Sequence, residues 1–266
     1  MMKTFSLPFG KGTQTVSLDE AHVLYDLHGN PVDAVADEQE AIRQALRHPI
    51  GSAPLKDVVQ AGDTVAIIVS DITRLVYTAQ MLPVIVDELN QAGVRDEQIT
   101  VVTAQGTHRA HRPEEDVIVC GEDMVKRVKV VSHDCRDASQ LTKIGTTTHG
   151  NDVYLDSHVV QADKVILTGA VSFHPMAGFG GGRKAVLPGV ASYETIMRNH
   201  AMALTDTFGG GCNPRCETSL LEDNPLHDDM KQAAALLNPC FLVNTVFSAD
   251  GDLYEVVGCH WYDAWI

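Results

Sequence analysis

The sequence is poor in basic residues, in aromatic residues and in long apolar runs. Lys and Arg number 20 against 35 Asp and Glu, a formal net charge of −15. A surface of that sign is repelled by nucleic-acid phosphates and by anionic lipids, so we expect neither as the main partner. No apolar run approaches the roughly 18 residues that a membrane-spanning helix requires, so no membrane association is predicted.

The amino terminus and the cysteines carry no mark of secretion. The opening residues, MMKTFSLPFGKG, have neither the apolar stretch nor the small-residue cleavage site of a signal peptide. Six cysteines in 266 residues do not make a disulfide scaffold. Cys212 and Cys216 form a C-x3-C pair without further zinc-type ligands at suitable spacing, so we expect free thiols ahead of a disulfide, a loop role or a metal site. The predicted location is the cytoplasm.

Short continuous apolar runs alternate with helical patterns along most of the chain. The runs, typical of buried parallel strands, cover 63–71, 98–108, 129–134 and 163–174. Helix patterns cover 37–49, 79–93, 112–121, 192–204 and 225–237, with Pro83 expected near a first turn, and hairpins are predicted at 3–18 and 240–257. The pattern predicts an α/β fold: a mainly parallel, Rossmann-like sheet flanked by helices, with one hairpin near each end.

Polar side chains follow three of the predicted strands. Asp71 and Arg74 come after the first strand in SDITR, His108 follows the second, and His174 follows the fourth. Ligands of open α/β sheets bind at the carboxyl ends of the strands, so we expect these side chains to face one crevice. Arg74 suits a substrate carboxylate because its guanidinium can bind both oxygens, although a structural Asp71–Arg74 ion pair is the alternative.

A glycine-rich segment, GFGGGRK at 178–184, lies between the fourth strand and a helix with Ser192 as its predicted N-cap. It matches neither the P-loop nor the dinucleotide fingerprint. Two interpretations stay open: a ligand that approaches the backbone closely, with Lys184 facing it, or a plain turn with a solvated lysine. Histidines are candidate acid/base groups or metal ligands, and His108 with His111 leaves open a zinc-dependent hydrolase.

The quoted motifs resemble those of a known family. SDITR, AQGTHR and above all H-x3-GFGGGRKAVLPGVASYETIMRNH are similar to the N-terminal domain of lactate racemase and related nickel-pincer enzymes, in register over essentially all 266 residues. Thr107 and Gly180 stand where the best-known members carry Phe and Ser. The resemblance implies a racemase or epimerase of a small 2-hydroxy acid, lactate or a relative, that removes hydride and returns it to the other face.

The resemblance also implies a cofactor and a set of site residues. The cofactor is a nickel-pincer pyridinium mononucleotide derived from nicotinic acid, covalently tethered to Lys184, with His200 as a nickel ligand. His108 and His174 are the alternating acid and base, and Arg74 binds the substrate carboxylate. We assign cofactor binding to Asp71, Gly181, Gly182 and Arg183, the last as a holder of phosphate.

Family members have a second domain that closes over the site. We therefore expect residues 1–266 to form an N-terminal cofactor-binding domain, with the second, C-terminal domain absent from this chain. The alternative from another class is a non-catalytic module that carries the cofactor.

Overall fold

The computed structural model of the chain describes residues 1–205, 207 and 209–263. Its strands are β1 (Met2–Phe9), β2 (Gly12–Asp19), β3 (Val65–Ser70), β4 (Ile99–Ala104), β5 (Lys129–Ser132), β6 (Leu141–Thr146), β7 (Asp152–Asp156), β8 (Lys164–Ala170), β9 (Phe173–His174), β10 (Gly178–Phe179), β11 (Phe241–Phe247) and β12 (Leu253–Cys259). Its helices are α1 (Glu38–Arg47), α2 (Leu55–Val58), α3 (Thr78–Gln91), α4 (Pro113–Cys120), α5 (Met124–Arg127), α6 (Ser157–Val160), α7 (Tyr193–Ala201) and α8 (Pro225–Leu237).

The central sheet has six strands in the order β12-β11-β8-β3-β4-β5. All neighbours pair in parallel except β12, which pairs antiparallel with β11. Numbered by their order in the chain, the strands run 3-2-1-4-5-6 across the sheet, the strand order of dinucleotide-binding folds. The order reverses between β3 and β8, which leaves a crevice at their carboxyl ends. The predicted α/β, Rossmann-like class is confirmed.

Helices cover both faces of the sheet because its central strands are apolar on both sides. In β3, Val65, Ile67 and Val69 belong to one core cluster, whereas Ala66 and Ile68 belong to the other. Successive side chains of a strand point to opposite faces, so this alternation separates two layers. The first cluster takes its helical members from α1 to α5, and the second from α6, α7 and α8.

Most predicted elements are present within a few residues of their expected bounds, including the Asp37 cap of α1, whose carboxylate accepts from the N–H of Glu40. Two expectations need correction. Pro83 lies at the sixth position of α3 and not near its first turn. The fourth apolar run ends as a strand at Ala170, and His174 lies beyond it in the short β9–β10 hairpin. The β6–β7 hairpin was not predicted, because its strands are only partly buried.

No disulfide joins the six cysteines, all of which lie within the described residues; Cys212 is exposed and Cys216 is buried. None of the helices in the described part of the chain is long and apolar enough to cross a membrane.

Candidate active site

A cavity of about 380 Å³ lies at the carboxyl ends of β3, β4 and β8, beside the point where the strand order reverses. Ser70, Ala104 and Ala170, the last residues of these strands, contribute to its wall. The cavity brings together most of the residues that the sequence singled out: Asp71, Arg74, His108, His174, Gly181, Lys184 and His200. Gly182 and Arg183 are not among its lining residues.

Arg183 faces away from this cavity. Its side chain is 1% exposed, lines a separate space with His227 and Lys231, and donates from Nη2 to the carbonyl of Ala177 at 2.9 Å. Burial lowers its guanidinium pKa to about 9. Residues 182–185 form a single 3-10 turn, in which successive side chains diverge by about 120°, so Arg183 and Lys184 face different spaces. Its predicted contact with a phosphate in the cavity has no support from this geometry.

The glycine loop packs tightly against the sheet. Gly181 has φ of +74°, and a side chain there would meet the Ala170 carbonyl oxygen at 2.9 Å. The backbone N–H of Gly182 donates to Oδ1 of Asn244, a buried residue of β11, at 3.3 Å. Only glycine accommodates both the left-handed conformation and this approach. The loop therefore runs close to the strand ends and leaves the cavity open above it.

His108 is oriented by Asp71. Its Nδ1 lies 2.6 Å from Oδ2 of Asp71, and the histidine side chain is 51% exposed whereas the aspartate side chain is 4% exposed. A carboxylate can only accept, so Nδ1 carries the hydrogen and the Nε2 lone pair of the neutral ring is left available to act as a base. Asp71 also accepts from the Thr73 hydroxyl at 2.7 Å. Its role is thus to hold His108, and the alternative of a structural Asp71–Arg74 ion pair does not describe this turn.

His174 has the opposite arrangement. Its Nδ1 accepts from the backbone N–H groups of Ala177 at 3.0 Å and Met176 at 3.3 Å, so the hydrogen of the neutral ring is on Nε2. Burial, followed by the positive charges of Lys184 and Arg74, lowers its pKa to about 4. The two histidines at one cavity therefore differ in tautomer: one presents a lone pair and the other an N–H.

Lys184 is half-buried at the cavity wall. Burial, with the neighbouring charges of Arg183 and Arg74, lowers the pKa of its amine to about 7. An amine with that pKa is largely neutral near physiological pH and is therefore nucleophilic. The alternative of an ordinary solvated lysine does not fit this environment.

His200 reaches the cavity from α7. Its Nδ1 donates to the Ile196 carbonyl one turn earlier, at 3.0 Å, which leaves the Nε2 lone pair available. Metal-binding histidines commonly hold their second ring nitrogen in this way. Burial lowers the pKa of His200, with a further contribution from the charge of Lys184, so the neutral, ligating form is favoured.

Arg74 contributes positive charge to the cavity. It is exposed, and among the residues that the structure describes no carboxylate forms an ion pair with it. Its guanidinium is thus available to an incoming anion.

His111 has a structural role. Its Nε2 accepts from the N–H of Ile72 at 2.9 Å, and its Nδ1 lies 2.9 Å from Oδ1 of Asp116. Both ring nitrogens are engaged, Nε2 with the SDITR turn and Nδ1 with α4. Among the described residues no group of three His, Cys, Asp or Glu side chains is arranged to bind a metal ion.

Several lining residues were not singled out from the sequence, among them Gln105 and Phe247. Gln105 is 2% exposed and donates to Thr103 at 2.7 Å, although it lies inside the quoted AQGTHR motif. Phe247 comes from the end of β11, and nothing in the local sequence connects it with the strands that carry the histidines.

The strand order and the cavity define a Rossmann-like fold with its candidate functional residues at the topological switch point. Residues 9–209 match the family described as the lactate racemase N-terminal domain, and the chain belongs to this family. It is 34% identical over 274 residues to the lactate racemase of Lactiplantibacillus plantarum. The aligned region covers 97% of this chain and 62% of that relative.

A second relative and two solved structures extend the comparison. The chain is 30% identical over 261 residues to the lactate racemase of Thermoanaerobacterium thermosaccharolyticum, covering 97% of the chain and 60% of the relative. The apoprotein structure of lactate racemase from that organism has a TM-score of 0.85 and 30% identity, covering 98% of the chain and 60% of the other. A Thermotoga maritima protein shares the fold, with a TM-score of 0.68 at 20% identity. The chain spans about 60% of the length of these curated relatives.

Proposed function

We propose that the protein is a racemase or epimerase of a small 2-hydroxy carboxylic acid. The observation that carries the proposal is a single cavity that combines two histidines of opposite tautomer, an available arginine and a lysine of lowered pKa. Inversion at C2 passes through a planar 2-oxo acid. The hydroxyl oxygen must lose a proton on one side and regain one on the other, which calls for two acid/base groups.

The cavity fits the cofactor that the family resemblance implies, a nickel-pincer pyridinium mononucleotide derived from nicotinic acid. Lys184 would hold it covalently through a thioamide, since its neutral amine is the nucleophile that such a bond requires. Nε2 of His200 would be a nickel ligand, with the remaining ligands supplied by the pincer itself. Gly181 has no side chain to obstruct a planar ring. When bound, this group would supply a site that accepts hydride from C2 and returns it.

The protein residues bind the substrate and move its hydroxyl proton. Arg74 holds the carboxylate through paired N–H donors, which fixes the position of C2 and its hydroxyl group. Nε2 of His108 takes the hydroxyl proton as the hydrogen leaves C2. His174 returns a proton from Nε2 to oxygen as C2 regains its hydrogen on the opposite face. For this step the ring must also be protonated at Nδ1, which breaks the bonds that Nδ1 accepts from Ala177 and Met176. The reverse reaction exchanges the two roles.

Cofactor attachment and substrate binding both act on His174. Burial is the main cause of its low pKa, and the charges of Lys184 and Arg74 come next. A thioamide at Lys184 carries no charge, and a carboxylate on Arg74 offsets the second charge. Both events therefore raise the pKa of His174 from about 4 toward its ordinary value. Loading the site therefore brings His174 closer to the range in which it can carry a proton, although its burial remains.

We further propose that residues 1–266 act as the N-terminal, cofactor-holding part of a two-domain enzyme. The relatives that this chain matches are longer than the chain, which covers 60–62% of them. A second domain over the cavity would shield the half-exposed His108 from water.

The test is the intact mass and nickel content of the chain produced in a host that synthesises the cofactor. We expect one adduct per chain, mapped to Lys184, with about one nickel. Lys184→Ala should carry neither, whereas Lys126→Ala, which changes an exposed lysine on α5, should keep both. An adduct on the Lys184→Ala chain would contradict the proposed attachment. Loading without racemisation by the two-domain protein would favour the carrier module instead.

A further inference from the structure

A second space adjoins the cavity. This side-chain groove, of about 410 Å³, is lined chiefly by Leu75, Tyr77, Ile118, Val119, Phe247 and Gly251. Leu75 and Phe247 line both the groove and the cavity, so the two spaces meet at these side chains. Leu75 directly follows Arg74 in the chain. A ligand bound to Arg74 by its carboxylate therefore has the groove next to it.

The groove is mainly apolar and has no charged side chain in its wall, although the protein is acidic; its polar groups are those of Tyr77, Thr78 and Gln80. None of the described residues that line it is Asp, Glu, Lys or Arg, although the chain carries 35 acidic residues. Leu75 is 61% exposed and Ile118 is 54% exposed, so both present apolar surface to anything that enters. An exposed apolar patch beside a polar cavity is typical of a binding surface.

The walls of the groove are held in place. Tyr77 has φ of +66°, a left-handed conformation that is unusual for an aromatic residue. Its hydroxyl donates to Oε1 of Glu38 at 2.8 Å, and its ring centroid lies 5.5 Å from that of Phe247. Backbone strain of this kind persists where the surroundings determine it and is concentrated at functional sites. A preformed wall lowers the ordering cost of binding.

We propose that the side-chain groove receives the apolar side chain of the 2-hydroxy acid whose carboxylate Arg74 binds. The preferred substrate then has a branched or aromatic side chain longer than the methyl group of lactate. A dicarboxylate is disfavoured because its second charge would lose water without gaining a cationic partner. This inference rests on the proposed function and adds the class of substrate.

The experiment is an NMR titration of the full chain with two probes, L-lactate and L-2-hydroxy-4-methylpentanoate. Each buried methylene raises affinity about fourfold, so partial burial of the longer side chain predicts binding at least roughly tenfold tighter than that of lactate. Ile118→Glu places a charge in the groove on an exposed helix position that does not line the cavity. Val117→Glu, one residue earlier on α4 and also exposed, is the matched control.

The expected result is a preference for the longer acid that Ile118→Glu removes and Val117→Glu retains, with lactate affinity unchanged in both. Equal affinities for the two acids in the wild-type chain would overturn the inference. Arg74→Gln distinguishes that failure from a failure of the proposed function. Loss of affinity for both acids in this variant supports Arg74 as the carboxylate site, whether or not the groove binds a side chain. Binding that is insensitive to Arg74→Gln would count against both proposals.

Discussion

The lowered pKa of Lys184 can be measured without any cofactor. The amine lies half-buried beside two arginines, and its pKa of about 7 compares with an ordinary value of 10.5. At pH 7.5 about three-quarters of this amine would be neutral, against about one part in a thousand for an ordinary lysine. This difference is the basis of its proposed attachment chemistry.

The assay is competitive acylation of the chain over pH 6 to 11, with the extent of modification read by peptide mass spectrometry. The pH midpoint reports the pKa independently of how easily the reagent enters. We expect a midpoint near 7 for Lys184, and the exposed Lys56 serves as the internal reference. Arg74→Gln removes one of the neighbouring charges, so the Lys184 midpoint should rise, yet stay below 10.5 because burial remains.

A Lys184 midpoint that coincides with that of Lys56 would refute the reasoning. It would mean that the amine is solvated, and the assignment of a nucleophile to this position would lose its physical basis. An unchanged midpoint in Arg74→Gln would instead remove only the contribution of that arginine.

Two further predictions concern the histidines. Asp71→Asn replaces the charge-assisted hydrogen bond to His108, which is worth about 1.5–3 kcal/mol, so turnover of the loaded two-domain enzyme should fall roughly 10- to 150-fold with little change in KM. Thr73→Val removes only the hydroxyl group that also donates to Asp71, so it should lower turnover much less. Equal losses of turnover in the two variants would contradict the role of Asp71. The pKa of His174 is about 4 in the folded chain, against an ordinary value of 6.5. Between these two pH values the unfolded state binds more protons than the folded state, so the free energy of unfolding falls as the pH drops through that window. Chemical unfolding of His174→Gln from pH 7 to 4 should show a shallower loss than the wild type or the exposed control His28→Gln, and parallel curves in all three would exclude the effect.

Local patterns predicted the fold well where burial is continuous. The runs that became β3, β4 and β8 are apolar on both faces, and such runs indicate a parallel sheet covered by helices. The strand order was not predicted, because it depends on contacts between distant segments. The β6–β7 hairpin escaped for a different reason: no residue of β6 is fully buried, and β7 is only five residues long.

The site shows the same division between local and long-range information. His108 and His174 were expected at strand ends, and both line the cavity. Their opposite tautomers were not expected, since they depend on Asp71 for one ring and on backbone N–H groups for the other. Arg183 and Lys184 are adjacent in sequence, yet the 3-10 turn sends them to different spaces. A motif shows which residue types are close together but not which way each side chain points.

The measurement that tests the central claim most directly uses a single enantiomer of a 2-hydroxy acid labelled with deuterium at C2. The cofactor-loaded two-domain enzyme is incubated with it in ordinary water, and the product is analysed by chiral chromatography and mass spectrometry. Transfer as hydride keeps the label away from solvent, so we predict inverted product that retains deuterium at C2, and loss of inversion in His108→Ala and His174→Ala. Inverted product that carries solvent hydrogen at C2 would instead show proton abstraction from carbon and would contradict the account.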